Sequence, residues 1–155
     1  RFKSYGAYVA GSQMITNQVR VFLENNHRGV LSTFRRSGAA QMSIVTVGMY
    51  RGDAAFTTTE HRAKLVNLRR EPRCSLLVSK EDWWGFLVLE GHATVFSSDR
   101  TDADELAQVL RDVYVAASGV HHPDWEEYDQ AMREDGRVAV VLSPDRIYGT
   151  ALNNK

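Results

Sequence analysis

One cysteine, Cys74, is all the thiol chemistry in 155 residues. That scarcity excludes an internal disulfide and a cysteine-rich zinc site, and it suits a reducing compartment. Long apolar runs are missing too. The longest, such as residues 86–89 and 138–142, fall far short of the roughly eighteen residues that cross a bilayer. No signal-peptide pattern is visible, so the cytoplasm is the expected location and no membrane partner is expected. Net charge is absent as well, with 19 Lys and Arg against 19 Asp and Glu, which argues against a globally basic nucleic-acid binder. The five histidines (His27, His61, His92, His121 and His122) show no metal-ligand spacing, so no metal is expected. A GxSxG elbow, a Walker loop and a dinucleotide GxGxxG are all lacking.

What remains is an ordinary globular composition, 43% hydrophobic and 25% charged, of a size that fills one domain. Gly11-Ser12 just before Met14 reads as the end of an appended extension. The expected domain is therefore 14–155, with 1–13 outside it. The zero net charge hides an asymmetry. Residues 1–73 hold twelve Lys/Arg against four Asp/Glu, or +8, and residues 99–135 hold three against eleven, or −8. The acidic stretch reads as solvated helix faces, and the basic half leaves room for a local anion site.

Thr16 is placed as an N-cap, with Val19, Phe22 and Leu23 at helical spacing, which predicts a helix over 17–25. Strands follow at 30–34, 41–50 and 54–59, separated by turns at 35–38 and 51–53. Pro72 closes a helix expected over 60–70. Two more strands, 74–79 and 84–96, flank Lys80-Glu81-Asp82. Leu106, Val109, Leu110 and Val113 define a helix over 102–117, and His122-Pro123-Asp124 opens another to about 134. A buried strand at 137–142 and an extended segment at 145–149 finish the chain. About six hairpin-linked strands with helices between them predict an α+β, mainly β class, built on an antiparallel barrel.

The chemistry concentrates in 57–73, Thr-Thr-Thr-Glu-His-Arg-Ala-Lys-Leu-Val-Asn-Leu-Arg-Arg-Glu-Pro-Arg. A helix dipole favours acids in the first turn, yet Arg62 and Lys64 stand there. Free backbone N–H groups share that end, so cations beside them suit a bound anion such as phosphate. Solvated surface cations explain the pattern equally well from the residues alone. Cys74, on a strand, reads as core. Trp83 and Trp84 open a strand, so they are expected to face opposite ways, leaving one free to line a pocket for a flat ring.

The order of elements, with Arg62-Ala63-Lys64, Asn67 through Arg73, Trp84, Leu89-Glu90-Gly91-His92-Ala93, Pro123-Asp124-Trp125, Met132 and Ile147-Tyr148-Gly149, resembles the pyridoxamine-phosphate-oxidase-like split β-barrel flavoproteins. It is similar above all to their actinobacterial branch of reductases that use the deazaflavin coenzyme F420. The resemblance implies a split barrel and a homodimer with two cofactor sites at the subunit interface. It implies that Arg62 and Lys64 hold the cofactor phosphate. Gln41, Ser43 and Thr58 would lie along the ring and ribityl chain, and Trp84 would come from the opposite subunit. FMN oxidases of this fold place an arginine and a lysine on the strand aligned with 41–47, where this chain has Gln41 and Thr46. F420, with a phosphodiester and an oligoglutamate tail, suits a diffuse basic groove that Arg35 and Arg36 extend. The expected activity is hydride transfer from reduced F420 to an electron-poor unsaturated small molecule. An FMN-binding oxidoreductase and a non-catalytic F420 carrier are the alternatives.

Overall fold

The computed structural model describes residues 14–152; the expected extension, 1–13, lies outside the described residues. Helix α1 (Asn17–Asn25) starts where the sequence places it, because the Thr16 hydroxyl accepts from the Val19 N–H at 3.4 Å. Strands β1 (Arg28–Phe34), β2 (Ala40–Thr46), β3 (Gly48–Tyr50) and β4 (Asp53–Thr59) lead to helix α2 (Ala63–Arg70). Then come β5 (Arg73–Ser79), β6 (Phe86–Phe96), α3 (Ala103–Ser118), α4 (Trp125–Asp135), β7 (Arg137–Tyr148) and a short 3-10 turn. All neighbouring strands are antiparallel, in the order β2-β1-β5-β6-β7-β4-β3.

Seven strands replace the expected six. The segment 41–50, one strand in the sequence reading, divides at Val47. The Val47 N–H donates to the His27 carbonyl at 2.7 Å, and the His27 ring Nδ1 meets the Val47 carbonyl at 2.8 Å. With both backbone groups held there, the chain turns a corner. β2 pairs with β1, and β3 pairs with β4 at the opposite edge of the sheet. Arg51 and Gly52 close the β3–β4 hairpin with φ of 48° and 85°, the left-handed pair that a two-residue hairpin loop requires. Asp53, expected in that turn, instead opens β4, fully buried, with Oδ2 accepting from the Ser143 hydroxyl at 3.0 Å.

Two further boundaries differ. β7 runs unbroken through Pro144, which sits opposite Gly91 at a register shift in β6, where an irregular ladder tolerates a residue without an N–H. β6 begins at Phe86, so Trp83 and Trp84 lie in the β5–β6 turn, and Trp83 has a φ of 67°. Strand alternation therefore does not govern the tryptophan pair.

The first half of β7 is buried on both faces. Along β7, Val138, Val140 and Leu142 join the inner core with Phe56, Leu65 and Leu89. Ala139 and Val141 face the other way, packing with Val109, Leu110 and Tyr128 of α3 and α4. This period of two is what a strand between two helical layers requires. A Cβ on Gly48 would fall 2.6 Å from the Ala117 backbone nitrogen, so only glycine lets α3 close over β3.

Candidate functional site

β4 delivers Thr57, Thr58 and Thr59 to the start of α2. The helix begins later than its sequence suggests, at Ala63, which makes Arg62 the N-cap and Lys64 the second helical residue. Arg62 has extended backbone angles and no side-chain capping bond, and no acid occupies the first turn. The end of the helix dipole is thus unopposed by any side-chain anion of its own.

A cavity of about 430 Å³ opens there, lined by Thr46 of β2, the three threonines of β4, Arg62, Lys64 and Arg137. The β4–β7 register explains the last member, since Thr59 pairs with Arg137. Partial burial holds the Lys64 ammonium below its usual pKa, and the charges of Arg62 and Arg137 lower it further. Three cations thus share one cavity. Among the described residues no carboxylate pairs with Arg62 or Lys64; Glu60, two residues before Arg62, is bound instead by Arg69 at 2.9 Å. The Arg137 Nε is buried without a hydrogen-bond partner, and the Asp135 carboxylate is 3.9 Å away. Three clustered cations with one long carboxylate contact among them, at a helix start bearing free donors, are the chemistry of an anion site.

Arg62, Lys64 and Thr58 thus come together in one cavity. Gln41 and Ser43 share the half-buried face of β2 with Val45. The Gln41 Oε1 accepts from the Thr33 hydroxyl at 3.3 Å, and that hydroxyl accepts from Asn67 Nδ2 at 3.1 Å, tying β2 and β1 to α2. The Ser43 Oγ is buried with no hydrogen-bond partner. Trp84 stands apart, 86% exposed. Its N–H donates to Asp82 at 3.0 Å, and its carbonyl accepts from the Thr150 hydroxyl at 3.0 Å.

A second basic cavity, about 480 Å³, lies at the other end of α2, where Arg35 and Arg36 meet Arg70 and Arg73. Its acid, Glu71, is paired with Arg73 at 3.0 Å. Eight residues of helix separate the two cavities, roughly 12 Å at helical rise. Arg137 is the member that sequence reasoning missed. Its signal is the strand pairing with Thr59, which no local pattern carries. Among the described residues no group of three or more His, Cys, Asp or Glu side chains could hold a metal ion, and no helix is long and apolar enough to cross a membrane.

Comparison with known proteins gives the fold a context. Residues 15–151 match the family model of pyridoxamine 5′-phosphate oxidase. A conserved hypothetical protein of Mycobacterium tuberculosis is 20% identical, with a TM-score of 0.72 over 95% of this chain and 94% of that one. An F420 reductase is 23% identical, with a TM-score of 0.58 over 83% and 94%. A heme-binding protein of Mycobacterium smegmatis is 19% identical, with a TM-score of 0.65 over 95% of this chain and 57% of that one. At these identities the likeness is one of fold, and the fold is held by proteins with different ligands.

Proposed function

The chain belongs to the pyridoxamine 5′-phosphate oxidase family, whose split barrel binds flavins such as FMN, and from that premise we propose that it is an F420-dependent oxidoreductase. The observation that carries the reading is the cluster of Arg62, Lys64 and Arg137 at the start of α2, in which neither Arg62 nor Lys64 is paired with a carboxylate and Arg137 meets Asp135 only at 3.9 Å. It fits a phosphate, with Thr58 and its neighbours supplying hydroxyls. Two features favour F420 over FMN. Gln41 and Thr46 occupy the strand on which FMN oxidases carry cations, and the arginine cavity at the far end of α2 offers an acidic tail a second anchorage.

When bound, the reduced deazaflavin supplies a hydride for an electron-poor double bond. The chain's own part is to hold and orient: Arg62 and Lys64 fix the phosphate by charge-assisted hydrogen bonds, and Gln41 braces β2 against α2 through Thr33 and Asn67. Met42 and Ile44, 65% and 79% exposed on the outer face of edge strand β2, support burial of that face against a second copy. Trp83 and Trp84, 64% and 86% exposed, support the same reading, with Trp84 reaching the partner's cofactor.

Fluorescence titration of the purified chain with F420 and with FMN tests the proposal. Saturable F420 binding at least tenfold tighter than FMN is expected; the reverse order overturns it. The third cation, Arg137, favours FMN as the second reading, since a phosphate monoester carries more charge than a diester.

A further inference from the structure

A third cavity, about 560 Å³, lies between α3 and α4, and Arg137 is part of its wall as well. The volume is in the range of small-molecule sites. Leu106, Ala107, Leu110 and Met132 give it an apolar lining. Two of its three acids are committed elsewhere. Asp102 caps α3, accepting from the Asp104 and Glu105 N–H groups at 3.1 and 3.3 Å. Asp129 is held by Arg111, whose Nε donates at 2.9 Å. Asp104 sits in the first turn of α3, where the helix dipole offsets its charge.

The cations are less satisfied. Arg133 is exposed and donates to the Gln130 side chain at 2.9 Å. The Arg137 Nε is buried without a hydrogen bond, and its ion pair with Asp135 is long, 3.9 Å. Its charge is felt in both directions, holding Lys64 down on one side and opposing the upward push of burial on the Tyr128 phenol of α4 on the other. An apolar cleft with a guanidinium at one end, its Nε lacking a hydrogen bond and its ion pair with Asp135 long at 3.9 Å, is complementary to an apolar body that carries one acid group.

We propose that the α3–α4 cleft is a binding site for a small amphipathic acid, its apolar body on Leu106, Leu110 and Met132 and its carboxylate or sulfonate on Arg137. Because Arg137 also lines the anion cavity, the two ligands draw on one guanidinium, and each weakens the other by the same factor. This coupling rests on the anion-site reading. Occupation of the cleft does not.

The probe is 8-anilinonaphthalene-1-sulfonate, titrated by fluorescence into the full chain. Saturable binding is expected, weakened at least tenfold by Ala107→Phe and by Leu106→Trp, both of which fill the cleft, and at least fivefold by Arg137→Gln. Val21→Lys, an exposed apolar position on α1, leaves it unchanged. Saturating inorganic phosphate weakens dye binding about threefold in the wild type and not in Arg137→Gln. Circular dichroism melts identify which filling variants are folded. Folded filling variants within twofold of wild type overturn the proposal, as does a change in solution mass on filling, which would make the cleft a protein interface. If Arg62→Ala/Lys64→Ala abolishes the phosphate effect while dye affinity stays, both sites stand. If that variant leaves F420 affinity unaltered, the anion-site reading falls and the cleft remains.

Discussion

Arg69, in the last turn of α2, donates to Glu60, three residues before the helix begins, at 2.9 Å. The same guanidinium reaches Asp99 at 3.3 Å, and the Glu60 N–H donates to the Gly136 carbonyl at 3.2 Å. Glu60, two residues before Arg62 in the chain, is thereby held by Arg69 and not by Arg62 or Lys64. An arginine outside the cluster thus engages the acid that directly precedes it in the chain.

Arg69→Met should release Glu60 to the cluster. F420 affinity is expected to fall threefold to tenfold, although Arg69 is not among the residues lining the cavity, and stability to drop by about 1–2 kcal/mol for lost bonds between charged groups. Arg69→Met/Glu60→Gln should regain most of the affinity. Titration of both variants checks this, and no recovery in the double variant counts against sequestration.

Lys64→Ala should weaken F420 binding by about 1.5–3 kcal/mol, the scale of a hydrogen bond to a charged group. Stability without ligand should stay within about half a kcal/mol, because the side chain meets only like charges. Unaltered affinity in Arg62→Ala/Lys64→Ala would place the phosphate elsewhere.

Affinity should depend on alkaline pH in a direction fixed by Lys64. Its pKa in the folded chain lies below the ordinary 10.5, and a bound anion favours the charged form. Binding is therefore full at neutral pH and declines as pH rises through that depressed value. The unliganded protein behaves oppositely. Between the folded and unfolded pKa the unfolded chain binds more protons, so the penalty on Lys64 is present at neutral pH and relieved as pH rises. Titrations and melts from pH 7 to 10, with Lys64→Ala as the control, separate this term from other alkaline effects.

The Cys74 thiol, buried and pushed up to about 12 by desolvation, should resist an aromatic disulfide reagent in the native state and react on unfolding in urea. Fast stoichiometric labelling without denaturant would contradict its burial.

What the sequence disclosed was local. Thr16 caps α1 through a contact three residues away, and the cations at the start of α2 are legible because the dipole argument needs only one helix end, although the helix starts one residue after Arg62. What it hid came from distant partners. Nothing in the β-branched run around Val47 shows that His27 will take both of its backbone groups. Arg137 enters the anion cavity only through its pairing with Thr59. Trp83 and Trp84 would alternate in a strand, whereas a positive φ at Trp83 and a strand that starts only at Phe86 put both in a turn. Gln41, Ser43 and the choice of Trp84 over Trp83 enter through the family resemblance alone, since no local pattern in the chain singles them out.

Met42→Lys bears on the second copy. Light scattering should give twice 17.5 kDa for the wild type at micromolar concentration and the single-chain mass for the variant. A wild-type mass of one chain would exclude the dimer.

The position of β2 at the sheet edge also shapes how the chain reaches its native form. Seven residues with one side of their backbone unpaired, bearing Met42 and Ile44 outward, offer a newly folded molecule a template for the wrong neighbour as readily as for the right one. With a second copy docking on β2 as proposed, recovery from denaturant is a race between that docking and irregular strand addition. Both steps are bimolecular, so dilution slows them together, and the yield is set by how soon β2 is formed and twisted relative to the moment it is met.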